Sequence, residues 1–443
     1  MLKGSLLVLV SRNFQKLVGA LVFFLIGGLL DARAVGNYTL LVTVLTYVNT
    51  LGSFGIGPAH VYFRGQKQLG MAQMLGNAVA GATLFGVLSL AVFGLLSPLL
   101  SFRSYSVLSM FLFSLVFPVV ILQSYLDYVW IGENRLTMYS VLYTLRFATL
   151  PFFILAGIVL PESVPGKYQG LAAALVANAL LTCAFNAYMI GRAYGFRPVI
   201  DRTLFTRTAR YGLSVQAGSV AQAIGYRFDV FLVNIFLAEA FLGLYSMAFR
   251  FAEVLWLLPA AISTALLPRV STGDERAAQR ATAQTSRVVF ATSLLGSVGV
   301  FVLAGPLLRL LYGEKFLGSV APLRILLLGI VVFSVQKVLA NYFIGQGRAK
   351  WFLRATLFSM AVNVGLNLWL IPLPGWGIKG AALASTISYT LSTLILGGLF
   401  VRWSGISWMD ILIPNRQDAA YVGARLGRLR LRAAGIRRRG ATR

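Results

Sequence analysis

Apolar runs of about twenty residues recur along the whole chain, and a helix of that length just spans the hydrocarbon core of a bilayer. Only short polar connectors separate them, such as RGQKQ at 64–68 and STGDERAAQR at 271–280. In lipid every backbone polar group must be satisfied internally, so such runs fold as helices packed on one another. Composition agrees: 58% of the residues are hydrophobic and 12% are charged, which leaves no material for a large soluble domain. A sliding window predicts spans near 5–30, 37–61, 74–98, 107–131, 137–160, 168–191, 209–237, 241–267, 286–310, 320–344, 351–371 and 378–402. The expected fold class is an all-α polytopic membrane protein of about twelve transmembrane helices. The first run, interrupted by Arg12 and Lys16 and lacking a small-residue cleavage site, reads as a retained helix and not a signal peptide.

Orientation follows from the basic residues, because Lys and Arg accumulate in cytoplasmic loops. With a cytoplasmic N-terminus the inside loops hold thirteen Lys and Arg and the outside loops six, so both termini and the loop 192–207 are expected inside. Trp130, Trp351 and Trp403 at inner ends, and Trp369 and Trp376 at an outer end, read as an interfacial aromatic belt. The net charge of +26 follows this topology and the arginine-rich tail, so it points to no nucleic-acid partner. The tail RLGRLRLRAAGIRRRG (425–440) within 403–443 reads as a solvated cytoplasmic segment, or one lying on anionic lipid.

One cysteine (Cys183) and one histidine (His60) supply neither a disulfide framework nor a zinc site, and no Gly-x4-Gly-Lys-Ser/Thr loop is present for direct use of ATP. The expectation is therefore a non-enzyme without cofactor or metal, with His60 held by a structural hydrogen bond. An internal repeat adds a duplicated plan. DARAVGNYT (31–39) matches AEAFLGLYS (238–246), and GKYQGLAAALVAN (166–178) matches GWGIKGAALASTI (375–387), pairing Gly36 with Gly243 and Gly170 with Gly380 at nearly one offset. An even number of spans per repeat implies two six-helix lobes related by a pseudo-two-fold axis along the membrane normal. Residues 1–200 form the expected N-lobe (helices 1–6) and 201–402 the C-lobe (helices 7–12).

Three stretches carry a family resemblance: 226–271, beginning YRFDVFLVNIFLAEAFLGLYS; 311–348, beginning LYGEKFLGSVAPLRIL; and NVGLNLWLIPLPGWGIKGAALASTISY at 363–389. They resemble the polysaccharide biosynthesis flippases of the O-antigen or exopolysaccharide type, in the multidrug/oligosaccharidyl-lipid/polysaccharide exporter superfamily. The resemblance implies alternating access about a central cavity and flipping of a lipid-linked oligosaccharide, on an undecaprenyl diphosphate carrier, out of the cytoplasmic leaflet of a bacterial inner membrane. It also implies membrane lipids and other polysaccharide assembly proteins as partners. A drug or organic-cation antiporter and a peptidoglycan-precursor flippase are the alternatives within the superfamily; a membrane glycosyltransferase or polymerase would need loops and clustered acids that this chain lacks.

Ionisable groups inside apolar helices mark candidate sites, since a charge at the bilayer centre costs roughly 2.5–3.5 kcal/mol on insertion scales. Arg12, Lys16, Arg146, Arg227, Arg250 and Lys337 outnumber Asp229 and Glu253 at depth. That surplus suits a phosphate-bearing substrate, with Arg12, Lys16, Arg146, Arg227 and Arg250 as the cationic cavity. Arg12 and Lys16 share a helix face, as a diphosphate would require. Snorkelling to the interface is the competing reading for Arg12, Lys16 and Arg146, and the favoured one for Lys337. Asp229, Glu253 and Asp127 are the carboxylates open to ion coupling or structural ion pairs, Asp127 more as a pair or cap. Arg227 and Asp229 face opposite ways on a helix. With the turn centred near Glu239, Asp229 comes level with Arg250, and an Asp229–Arg250 pair is expected across the hairpin. The competing arrangement pairs Arg250 with Glu253 and leaves Asp229 as a coupling carboxylate.

Overall fold

The apolar runs form helices despite their many glycines and the internal Pro151 and Pro306, because in lipid the backbone N–H and C=O groups must be satisfied within the helix. The computed structural model describes residues 2–413 except 101, 103, 257, 258, 260, 261, 264, 265, 267–269 and 271–273. The basic segment 425–440 therefore lies outside the described residues. In chain order the helices are α1 Leu2–Leu29, α2 Ala32–Gly52, α3 Ile56–Gly65, α4 Met71–Leu96, α5 Val107–Ser114, α6 Phe117–Gly132, α7 Leu136–Val159 and α8 Val164–Tyr194. There follow α9 Arg202–Phe236, α10 Glu239–Val254, α11 Glu275–Tyr312, α12 Val320–Gly345, α13 Ala349–Leu370, α14 Gly377–Ser404 and the short α15 Trp408–Leu412. No strand occurs among the described residues. The fold is all-α and multi-span.

Starts are set by side chains that satisfy otherwise unpaired backbone N–H groups. Asp31 accepts from the Ala34 amide at 2.9 Å, and Asp201 from the Leu204 amide at 3.0 Å. Ser163 caps α8 through the Gly166 amide. Among the described residues, seven stretches are long and apolar enough to cross a membrane, and eight if the α2–α3 pair, bent by 42°, is one span. One of them, Glu275–Gly345, is 71 residues long and holds both α11 and α12. Three helices at positions expected to span, α9, α10 and α13, are not among them. The described α10 is only 16 residues long, while α9 carries Arg202, Arg207, Arg210, Arg227 and Asp229 and α13 carries Lys350, Arg354, Asn363 and Asn367.

The chain resolves into two compact units: residues 1–250 with 308–319 and 364–381, and residues 251–307 with 320–363 and 382 onward. In the first unit α1 packs on α7, α7 on α8, and α6 on both α3 and α4. Its core includes Phe63, Met74, Leu126, Val129, Leu142 and Ile190. The second unit is built round Val335, Leu339, Tyr342, Phe343, Leu396 and Phe400.

Two aromatic readings need correction. Trp130 is not interfacial: it is fully buried, and its indole N–H donates to Asn186 Oδ1 at 2.8 Å. Its position near a helix end was misleading because α8 runs past it to Tyr194 and covers the ring. His60 is also fully buried, yet neither ring nitrogen has a hydrogen-bond partner, so the expected structural hydrogen bond is not made. Tyr125, whose ring centroid lies 6.2 Å away, donates to the Ser53 carbonyl instead.

Two close backbone approaches fix the first unit around α9 and α10. Gly55, at φ 66° in the break between α2 and α3, lies so near Gly212 of α9 that a Cβ on either would overlap the other's backbone. Gly36 of α2 and Gly243 of α10 stand in the same relation. A Cβ on Gly36 would overlap the Glu239 carbonyl, and one on Gly243 the Ala32 carbonyl. The two glycines matched in the sequence repeat thus pack against each other.

Candidate functional site

Of the charged residues singled out by depth, Arg12, Lys16, Asp127, Arg146, Arg227, Asp229 and Arg250 fall into two clusters in the first unit, while Glu253 and Lys337 belong to the second. The first joins α6, α7 and α8. The Asp127 carboxylate, 6% exposed, accepts from Arg146 Nη2 at 2.6 Å and from Asn186 Nδ2 at 3.0 Å. Gln123, with its amide oxygen turned toward the guanidinium donors, accepts from Arg146 Nε at 2.8 Å. Asn178 accepts from Thr149 Oγ1 at 2.7 Å and donates to the Arg146 carbonyl at 3.3 Å. Both charges are therefore met by opposite charge and amide dipoles, the condition under which an ion pair is tolerated inside an apolar bundle.

On the edge of this cluster, Arg12 of α1 interacts with the Tyr139 phenol on α7. Arg12 and Lys16 are both exposed, one turn apart, and neither has a carboxylate within ion-pair distance among the described residues. Arg146 was grouped with them as a substrate cation. In the structure it has a carboxylate of its own, which lowers the cationic surplus by one.

The second cluster joins α9 and α10. Asp229, 4% exposed, accepts hydrogen bonds from the Tyr245 hydroxyl and from the Val230 amide, the latter at 2.9 Å. The expected Asp229–Arg250 pair is not formed. The helices meet at Leu237–Ala238 and not at Glu239, which brings Tyr245 and Ser246 level with Asp229 in place of Phe249 and Arg250. Arg227 is the positive charge that bears on Asp229, yet the two side chains do not bond. Its guanidinium lies over the Phe249 ring at 4.5 Å, and the buried Nη1 has no hydrogen-bond partner. Arg250 lies over the Phe23 ring of α1 at 5.3 Å. Glu253 is half-buried on α10, three residues further along. Aromatic faces thus attract both guanidinium groups by cation–π contact.

At the α9–α10 turn, Glu239 accepts from Ser104 through its amide at 3.2 Å and its hydroxyl at 2.7 Å. In the second unit Lys337 Nζ sits 4.2 Å from the Trp256 ring centroid, a cation–π contact. No group of three or more His, Cys, Asp or Glu able to hold a metal occurs among the described residues.

The likenesses of this multi-span helical bundle to known proteins run along most of its length. The model of the polysaccharide biosynthesis protein family matches residues 1–273, and that of lipid II flippase MurJ matches residues 152–407. The chain belongs to the polysaccharide biosynthesis protein family. It is 25% identical over 247 residues to the "Probable low-salt glycan biosynthesis flippase Agl15" of Haloferax volcanii, which covers 52% of this chain and 51% of that protein. The chain spans about half the length of the curated relatives it matches. Several solved structures share its fold, two of them as follows. A lipid II flippase MurJ in an inward closed conformation superposes with a TM-score of 0.74 at 13% identity, covering 93% of this chain and 89% of that one. An inward-facing multidrug resistance MATE family transporter of the MOP superfamily gives 0.71 at 14% identity, covering 88% and 94%.

Sequence reasoning missed the Tyr245 donor, because an apolar run disguises a phenol as a packing residue. It also missed Asn186 and Gln123, which lie in helices counted only for their hydropathy.

Proposed function

We propose that this protein is an alternating-access flippase that moves a lipid-diphosphate-linked oligosaccharide from the cytoplasmic to the outer leaflet for surface polysaccharide synthesis. The observation that carries the reading is the charge balance at depth. Arg12, Lys16 and Arg227 have no ion-pair partner among the described residues, whereas Asp127 is neutralised by Arg146. A cavity with a net surplus of cations attracts phosphate oxygens and repels organic cations, which disfavours a drug or organic-cation antiporter. Similarity to Agl15, described as a glycan biosynthesis flippase, supports a glycan on the lipid. The match to the lipid II flippase model over 152–407 supports a peptidoglycan precursor as the second reading.

In this reading twelve spans form two six-helix lobes, 1–200 and 201–402, with both termini and the loop 192–207 on the cytoplasmic side of a bacterial inner membrane. Substrate phosphates engage Arg12, Lys16, Arg227 and Arg250, while Asp229 and Glu253 serve in ion coupling or structural ion pairs. Membrane lipids, and other polysaccharide assembly proteins, are its partners. Depletion of the protein in its host tests the proposal. Lipid-linked oligosaccharide should accumulate facing the cytoplasm; accumulation of lipid II instead would select the second reading, and accumulation of neither would overturn both.

A further inference from the structure

A basic groove between α3 and the first third of α9 belongs to neither charged cluster. It encloses about 890 Å³ and is lined on α9 by a stripe at positions 203, 206, 207, 210, 211 and 214. That spacing puts Arg207, Arg210 and Tyr211 on one helix face, and Arg202 also lines the groove. Tyr62 of α3 and Gln66, the C-cap residue of that helix, add to the lining. Tyr62 and Tyr211 stack at 4.4 Å with their planes 13° apart, and Arg207 lies 4.9 Å over the Phe63 ring.

Three features say what such a groove takes. Arg202, Arg207 and Arg210 are exposed, and no carboxylate lies within ion-pair distance of them among the described residues. The adjacent acid, Asp201, is engaged as the N-cap of α9. Clustered arginines without counter-charge repel one another and are relieved by a multivalent anion, which guanidinium forks bind in bidentate fashion. Second, along α9 the arginines give way to Tyr211 and then, on the two flanks of the stripe, to Leu213 and Val215, which are 57% and 44% exposed. Charge, then aromatic, then exposed apolar side chain is the order met on passing from headgroups into acyl chains. Third, the volume admits a headgroup and excludes a folded macromolecule.

We infer that the α3–α9 groove is a binding site for a phosphoryl headgroup carried on a lipid, with phosphate held by Arg202, Arg207 and Arg210 and the lipid tail leaving past Tyr211 toward the apolar stretch of α9. It stands independently of the transport reading, since binding is measured without transport. Basic pockets between transmembrane helices are known to hold anionic headgroups. The two sources of such a group are bulk anionic phospholipid and a polyprenyl diphosphate.

The test uses the full chain in phosphatidylcholine nanodiscs, titrated with fluorescent phosphatidylglycerol and, separately, with undecaprenyl diphosphate. The R207Q/R210Q double variant should lose about tenfold or more in affinity for whichever lipid binds, since charged hydrogen bonds are worth about 1.5–3 kcal/mol each. Arg210→Lys should lose less than Arg210→Gln, because charge remains while the bidentate fork is lost. Preference for undecaprenyl diphosphate assigns the site to a lipid diphosphate; equal binding of both lipids assigns it to anionic lipid in general. Circular dichroism and thermal unfolding establish that the variants are folded. If the folded double variant binds both lipids as tightly as the unchanged protein, or if neither lipid binds the unchanged protein above the phosphatidylcholine background, the inference is overturned.

Discussion

Asp127 with Arg146, and Asp229 with Arg227, are the same two residue types buried among apolar helices, but they are handled in opposite ways. Asp127 and Arg146 come from different helices, meet at 2.6 Å and are surrounded by Gln123, Asn178 and Asn186. Asp229 and Arg227 come from one helix, two residues apart, where a turn of about 200° prevents them from meeting. A phenol takes the carboxylate and an aromatic face takes the guanidinium. The comparison teaches that a buried charge in this protein is structural when its partners converge from several helices. Where only packing holds it, its hydrogen-bonding capacity is left for something else.

The sharpest way to break this contrast is to remove one partner of the satisfied pair. Asp127→Asn should destabilise the protein by about 3–5 kcal/mol, because Arg146 then stays buried without counter-charge. Thermal unfolding in detergent measures it, and the double variant D127L/R146L should recover most of the loss. Next in size is the backbone clamp beside the second cluster. Gly243→Ala should cost about 1–3 kcal/mol, since the added methyl overlaps the Ala32 carbonyl and α2 and α10 must separate. The same assay reads it, and a normal melting temperature would deny that the crossing is tight.

Smaller still is Tyr245→Phe, which leaves the Asp229 carboxylate with one hydrogen bond fewer and should cost about 1–2 kcal/mol. An undiminished melting temperature would show that the phenol does not hold the acid. Arg227→Gln should have the smallest effect on stability, under about 1 kcal/mol, because the lost attraction is a cation–π contact. It should nevertheless reduce transport about tenfold if the guanidinium meets substrate phosphate. Accumulation of the lipid-linked intermediate in cells relying on the variant would read that loss. Normal flux would place Arg227 with the structural charges and erase the contrast.

Much of the fold was legible because hydropathy and caps act locally. The apolar runs, the Asp31 and Asp201 caps and the glycines at 36 and 243 are all visible as letters. The site was less legible. Arg12 and Lys16 remain without carboxylate partners, but Arg146 acquired one from a helix read as separate, and the pairing of Asp229 changed when its hairpin turn moved from Glu239 to Leu237–Ala238. A shift that small moves a helical neighbour by nearly one turn, and side-chain contacts cannot survive it. Arg202 and Arg207 are among the thirteen inside-loop residues of the topology signal, and Arg210 falls within the expected span 209–237; their stripe is present in the sequence, but the wall that makes it a groove comes from α3.

Residue type and run length alone make this chain a helical membrane protein with more cations than anions in its apolar runs, because burial of apolar side chains and the cost of buried charge depend on nothing else. Which of those charges are neutralised depends on packing. Asp127 and Arg146 meet because α6, α7 and α8 pack together, and Gly36 meets Gly243 because α2 crosses α10. Hydrogen bonds and ion pairs act over a few ångströms, and distances of that size between remote residues are set by packing.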